Sequence, residues 1–367
     1  HVMVYGEYVL EPQVRLAARL TELAGAPLDV AYFTSSGAEA IEGALKTARK
    51  FTGRAGLVAF ELGFHGDTLG ALSIGGNPRY RDPFLPLLPD VTILPWNDRA
   101  ALAAIDRHVA AAVIEPVQAE GGVRIADPAF LRALRARCSE TGALLVFDEV
   151  VTGFGRTGTL FAFQHSGVRP DLLVLAKALG GGLPLGAFLG PRRILATLAE
   201  RPPLAHVTTF GGHPLSCAAG LAALEVVVRR DLPARACTRG AEFLRGLDHL
   251  RERHRAVRAV RGLGLLLAIE LRTATAARSF AAACLTRGLV LNWTLHRDTV
   301  IRLAPPLTIT RAEIACALGI MDAALSARES CSTRAFSSPM TTRTDRRESV
   351  QSRADRGKRS DDRRRHS

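Results

Sequence analysis

Between residues 30 and 189 short apolar runs recur, each long enough for a strand and too short for a buried helix. The runs at 30–34, 57–60, 91–94, 111–115, 144–148, 172–176 and 187–189 are almost unbroken, as in strands covered on both faces. Helix-period segments stand between several of them. In 38–51 Ile41, Ala44, Leu45 and Ala48 share one face before Gly53 ends the helix, and a second helix, 128–140, stops near Gly142. Strands alternating with helices predict an α/β fold whose mostly parallel sheet is flanked by helices.

After Pro214 the pattern lengthens into helices at 215–229 and 233–254, followed by a strand-like 264–271, a further helix–strand pair and a last helix at 311–327. This predicts a smaller C-terminal α+β domain. The expected division is a large domain over 1–212, a small one over 213–327 and a disordered basic tail over 328–367. That tail holds twelve Lys and Arg against six Asp and Glu, so it carries six of the net +13 charges. It has no apolar periodicity and almost no aromatic residues, so it reads as solvated chain and not as a nucleic-acid arm.

With 47% apolar residues among 367 the chain can bury a large core, and no apolar stretch approaches the roughly 20 residues that cross a bilayer. The start, His1-Val2-Met3-Val4-Tyr5, has no secretory pattern, and a cytoplasmic location is expected. Cys138, Cys217, Cys237, Cys284, Cys316 and Cys331 lack CxxC spacing, which suits reduced thiols and neither metal nor redox chemistry.

Three segments carry chemistry. Phe33-Thr34-Ser35-Ser36-Gly37-Ala38-Glu39 leads a strand straight into a helix, whose free N–H groups and dipole can bind a phosphate. Taken alone, the segment is more simply a serine N-cap of an ordinary helix. Leu144-Leu145-Val146-Phe147-Asp148-Glu149 brings two acids to the carboxyl end of an apolar strand, where open α/β sheets place ligands. Leu172-Leu173-Val174-Leu175-Ala176-Lys177 brings an amine to the same edge, and glycines follow it. Apolar flanks are expected to desolvate that amine and lower its pKa, as in Schiff-base lysines. Amine, acid and phosphate cup are together what pyridoxal 5′-phosphate (PLP) needs.

Over residues 5–327 the chain resembles the class III (ω-amino acid type) PLP-dependent aminotransferases. The resemblance is carried by Ser36-Gly37-Ala38-Glu39-Ala40, Gly63-Phe64-His65-Gly66, Glu115-Pro116-Val117-Gln118-Ala119-Glu120-Gly121-Gly122, Phe147-Asp148-Glu149-Val150, Gly153-Phe154-Gly155-Arg156-Thr157-Gly158, Lys177 and Thr208-Thr209-Phe210-Gly211-Gly212. It implies PLP fold type I and a ping-pong transfer of an amino group from an amine or amino acid to a 2-oxo acid, 2-oxoglutarate or pyruvate. Lys177 would be the Schiff-base lysine and proton shuttle, and Asp148 the partner of the pyridinium nitrogen. Ser36, Gly37 and Ala38 would hold the phosphate, with Phe64, His65 and Val150 around the ring. A homodimer is implied, in which Thr209 reaches the neighbouring subunit's cofactor. Arg302 would grip the α-carboxylate of one substrate, and Glu120 would neutralise it otherwise.

The chain departs from the pattern in places. Asp67 stands where ornithine-type members carry an arginine, which speaks against ornithine or acetylornithine as donor; Val151 stands where many members carry a glutamine. The chain also starts late relative to the family. Other PLP chemistry on this scaffold, such as that of an aminomutase or racemase, stays open, as does a non-catalytic anion or nucleic-acid binder on a degenerate core.

Overall fold

The computed structural model of the chain describes residues 8–336. In chain order the strands are β1 (Val30–Thr34), β2 (Gly56–Phe60), β3 (Val91–Leu94), β4 (Val109–Ile114), β5 (Val117–Gln118), β6 (Arg124–Ile125), β7 (Leu144–Asp148), β8 (Leu172–Leu175) and β9 (Gly186–Gly190), then β10 (Val257–Leu263), β11 (Leu266–Leu271), β12 (Asn292–Trp293) and β13 (Val300–Leu303). Seven of them form one sheet in the order β1-β9-β8-β7-β4-β2-β3; β5 and β6 form a small ribbon. β9 runs antiparallel to both its neighbours, so the other six strands all point one way.

Period-two alternation places the strand side chains on two faces. Val58, Phe60, Ala112, Ile114, Leu145, Phe147, Leu173 and Leu175 pack in one core cluster. Leu57, Ala59, Ala111, Val113, Leu144, Val146, Leu172 and Val174 pack in another. Helix α1 (Glu11–Ala24) and the helix Pro128–Thr141 cover the first face through Leu16, Leu20, Phe130 and Leu134. Helix α2 (Gly37–Thr52) covers the second through Ala40, Ile41, Ala44, Leu45 and Ala48.

The second sheet has the order β10-β11-β13-β12 and is antiparallel throughout. Helices Leu232–Arg253, Ala274–Leu285 and Arg311–Phe336 lie with it in a separate core that includes Phe243, Leu247, Ile269, Phe280, Ile301 and Met321.

Three readings of the sequence need amending. Gly264, expected to begin a strand, has φ +57° and lies in the turn of a hairpin whose first strand, β10, is interrupted by Arg258 and Arg261 and so lacks an apolar signature. Helix α1 was not anticipated, although Leu16, Leu20 and Ala24 recur at helical spacing. The last helix, expected over 311–327, continues to Phe336, with no Pro or Gly between to stop it. The tail expected to be disordered from residue 328 therefore begins as helix; the rest of it lies outside the described residues. Among the described residues no helix is long and apolar enough to cross a membrane.

Candidate active site

Because six strands of the large sheet are parallel, their carboxyl ends and following loops meet along one edge. β1 delivers Ser35 and Ser36 there, β2 the Gly63–Gly66 turn, β4 Glu115, β7 Asp148 and β8 Lys177. Together these residues line a cavity of about 380 Å³, with Gly37, Ala38, Glu120, Val150, Val151 and Leu183-Pro184-Leu185 completing its wall. Asp148 and Lys177 thus open into the same space.

One end of the cavity is the amino end of α2. Ser36 is the N-cap, with extended backbone, and its Oγ accepts from Glu39 N at 3.2 Å. Glu39 Oε2 in turn accepts from Ser35 N at 2.8 Å. The first-turn N–H groups of Gly37 and Ala38 have no partner within the helix and face an anion's natural place. Packing is close at this glycine: a Cβ on Gly37 would sit 3.1 Å from Val150 Cγ2 and 3.3 Å from Ala176 Cβ, so both neighbours would have to give way.

Asp148 is 5% exposed and is held by two groups. Its Oδ2 lies 2.8 Å from Nδ1 of buried His65, and its Oδ1 accepts from Val150 N at 3.0 Å. Burial alone would favour neutral His65, but the hydrogen bond and charge of Asp148, with Glu115 adding to them, raise its pKa above the ordinary imidazole value. Behind this pair Glu115 accepts from Phe64 N at 3.0 Å and from Ala119 N at 3.2 Å. Burial, opposed by His65 and reinforced by Asp148, pushes its carboxyl up to about 7. Sequence reasoning gives Glu115 no role, although it carries the signature that singles out Asp148, a charge ending an apolar strand.

Glu149 points elsewhere. Fully buried, it accepts from Phe163 N at 2.8 Å, from Ala162 N at 2.5 Å and from Thr152 Oγ1 at 3.1 Å, and burial drives its carboxyl up to about 7. Of the two adjacent acids one serves the cavity and the other ties down the loop at 160–163.

Lys177 departs from expectation in one respect. It is exposed at the cavity wall and not buried among its apolar neighbours. Its backbone has φ +47°, a left-handed conformation that non-glycine residues seldom take and that costs about 1–3 kcal/mol. Such strain at a wall residue aims the side chain at the cavity at the expense of local stability.

The other predicted residues lie on the cavity wall or beyond it. Phe64 lines the cavity and meets His296 edge-on, with ring centroids 6.0 Å apart. Glu120 is joined by a salt bridge to Arg302, which comes from β13 of the small sheet. Thr209 does not line this cavity; it is exposed and lines a separate hollow of about 670 Å³ with Tyr32, Phe33 and His206. Asp67 is exposed beyond the Gly63–Gly66 turn.

The residues present fit PLP. A helix amino end offers N–H donors for a phosphate, a buried carboxylate faces the cavity to pair with a protonated ring nitrogen, and a primary amine stands in reach of the same space.

The comparisons with known proteins agree. The family model for aminotransferase class-III matches residues 1–325. An acetylornithine aminotransferase of Methanocaldococcus jannaschii is 43% identical over 86% of this chain and 79% of its own length. A putrescine aminotransferase of Pectobacterium atrosepticum is 41% identical over 85% of this chain and 69% of its own. Among solved structures, ornithine aminotransferase from Toxoplasma gondii superposes with a TM-score of 0.83 at 31% identity, covering 90% of this chain and 80% of that one. The PLP-bound form of an amine transaminase from an uncultivated Pseudomonas species gives 0.81 at 32% identity, with 89% and 83% covered. Fold, cavity chemistry and kinship converge: this chain belongs to the class III aminotransferases, PLP-dependent enzymes of fold type I that transfer an amino group to a 2-oxo acid.

Proposed function

We propose that Lys177 is the residue to which PLP attaches covalently and the base that moves the proton during transfer, with Asp148 keeping the ring nitrogen protonated. When bound, PLP supplies an electron sink next to the transferred nitrogen. The observation that carries this reading is the convergence of Lys177 and Asp148, from neighbouring parallel strands, on the cavity that the amino end of α2 closes. Gly37 and Ala38 N–H groups and the Ser36 hydroxyl hold the phosphate. Phe64 would stack on the ring with His65 and Val150 beside it, and His65 fixes the orientation of the Asp148 carboxylate through their hydrogen bond.

Borohydride reduction of the PLP-loaded chain followed by peptide mapping tests the assignment. The cofactor label is expected on Lys177, and Lys177→Ala should take no label and lose turnover by roughly 10⁴-fold. A label on another lysine rejects it.

Arg302 grips the α-carboxylate of the acceptor, 2-oxoglutarate or pyruvate, through its bidentate fork, and Glu120 takes its place when an amine occupies the site. The donor is an amine or an amino acid. Asp67 favours one with no carboxylate at the far end, a choice that the likeness to a putrescine aminotransferase supports and the likeness to an acetylornithine aminotransferase opposes. Glutamate formed from 2-oxoglutarate across a donor panel measures this. The enzyme works as a homodimer, with Thr209 reaching the partner's cofactor; exposed Leu204, Val207, Phe210 and Leu215 around it supply an apolar surface to cover. Free Cys138, Cys217, Cys237, Cys284 and Cys316 support the cytoplasm as its compartment.

A further inference from the structure

Residues 294–297, between β12 and β13, reach from the small sheet to the rim of the cavity. Several bonds fix this strap. Thr294 Oγ1 donates to Arg297 O at 2.8 Å, Tyr80 Oη donates to Leu295 O at 2.9 Å, and His296 N donates to Glu120 O at 3.1 Å. The His296 ring stacks on Tyr80 with centroids 5.4 Å apart, and its Nδ1 lies 2.9 Å from Leu62 O. Held this way, Leu295 N donates to Glu120 Oε2 at 2.9 Å, while Glu120 Oε1 accepts from Arg302 Nη1. One carboxylate therefore takes a donor on each oxygen, one from a guanidinium and one from a backbone amide.

We infer that the Leu295 N–H is a second donor of the carboxylate subsite that Arg302 anchors and Glu120 otherwise fills, and that Tyr80 positions this amide. This rests on Arg302 being the acceptor's anchor. An arriving 2-oxo acid replaces Glu120 oxygen for oxygen, one on the guanidinium and one on the amide, so neither donor is left bare. When an amine enters, Glu120 returns and Arg302 is not left as an unpaired cation behind it. The amide adds direction to the charge: two donors on two oxygens fix the plane of the carboxylate, which a guanidinium alone leaves free to slide. Tyr80 touches no substrate and acts only through the strap.

The test measures binding of glutarate, a dicarboxylate with no oxo group to react, to the PLP-loaded enzyme by calorimetry. Glu120→Ala should tighten glutarate, since the resident anion is gone. Adding Leu295→Pro, which removes the N–H, should then weaken it about tenfold, the loss of one charge-assisted hydrogen bond. Adding Tyr80→Phe in place of Leu295→Pro should weaken it several-fold in the same background. Equal affinity with and without Leu295→Pro overturns the inference, because the amide would then serve Glu120 alone. Should Leu295→Pro fail to bind PLP and so prove misfolded, the Tyr80→Phe comparison decides, and unchanged affinity there overturns it. Glutarate binding indifferent to Arg302→Ala would instead reject the reading of Arg302.

Discussion

The two ends of the cavity are built in different ways. Asp148 and Lys177 stand at the ends of β7 and β8, neighbours in one hydrogen-bonded ladder, and their separation is set by strand pairing. Glu120 and Arg302 come from different sheets and meet through a salt bridge and the strap at 294–297. A ladder gives a fixed geometry, which suits groups that must act on the same ring atoms in both half-reactions. A junction of side chains can exchange partners, which suits a site that must take an amine and a 2-oxo acid in turn. The division of labour in the reaction therefore follows the division between the sheets.

The largest expected effect tests the ladder end. Asp148→Asn should keep PLP attached through Lys177, yet lower turnover by roughly 10³-fold in both half-reactions, because a neutral amide cannot hold the ring nitrogen protonated. Stopped-flow measurement of each half-reaction separately checks it. If only one half-reaction slowed, Asp148 would belong with the exchangeable end and the contrast would fail.

The same contrast governs what the sequence makes legible. Asp148 and Lys177 announce themselves because an all-apolar strand that ends in a charge has few reasons to do so other than chemistry, and parallel strands bring such ends together. Gly37 and Ser36 are legible as a strand–helix junction, though only packing shows how closely Val150 and Ala176 approach the glycine. At the other end, Glu120 and Arg302 emerge from family resemblance alone, since nothing in either segment indicates that a loop after β5 meets β13. The Leu295 amide carries no side-chain signature at all, and Tyr80 is an ordinary aromatic until its hydroxyl is seen on Leu295 O. β10 is hidden because Arg258 and Arg261 break its apolar run, yet both reach Glu270 on the adjacent strand. Adjacent acids are likewise indistinguishable in sequence, and only burial and partners separate Asp148 from Glu149.

Glu149 sharpens the comparison, because it shows what keeps the ladder end rigid. Its carboxyl rises from the usual range to about 7 on burial, so the folded chain holds that proton more tightly than the unfolded one. Stability must then fall as pH rises from about 4.5 to about 7, by roughly 3 kcal/mol for this group. Glu115 adds a slope of the same sign in the same window, and His65, raised above its ordinary value, adds a further loss as pH passes its folded pKa. Glu149→Gln no longer titrates; its one oxygen serves either Ala162 N or Phe163 N and not both, so overall stability falls and the pH slope alone carries the test. Urea unfolding between pH 4.5 and 7 should show a distinctly shallower decline in the variant; an unchanged slope would mean that Glu149 is ionised in the folded chain throughout.

The smallest effect concerns Ser36, where helix cap and phosphate ligand look like rival roles. A hydroxyl has one hydrogen to donate and two lone pairs to accept with. Here the N–H of Glu39 uses an accepting lone pair, which leaves the hydrogen free for an anion, so the two roles coexist on one atom. Ser36→Ala should then destabilise the cofactor-free chain by about 1 kcal/mol, the ordinary worth of an N-cap, and also weaken PLP several-fold. Ser36→Asp separates the roles, because aspartate caps a helix as well as serine does but sets a negative charge against the phosphate. Its melting temperature without PLP should match the parent, while its affinity for PLP falls below that of Ser36→Ala. Equal PLP affinities for the Ala and Asp variants would place the phosphate away from the amino end of α2 and make Ser36 a cap and nothing more.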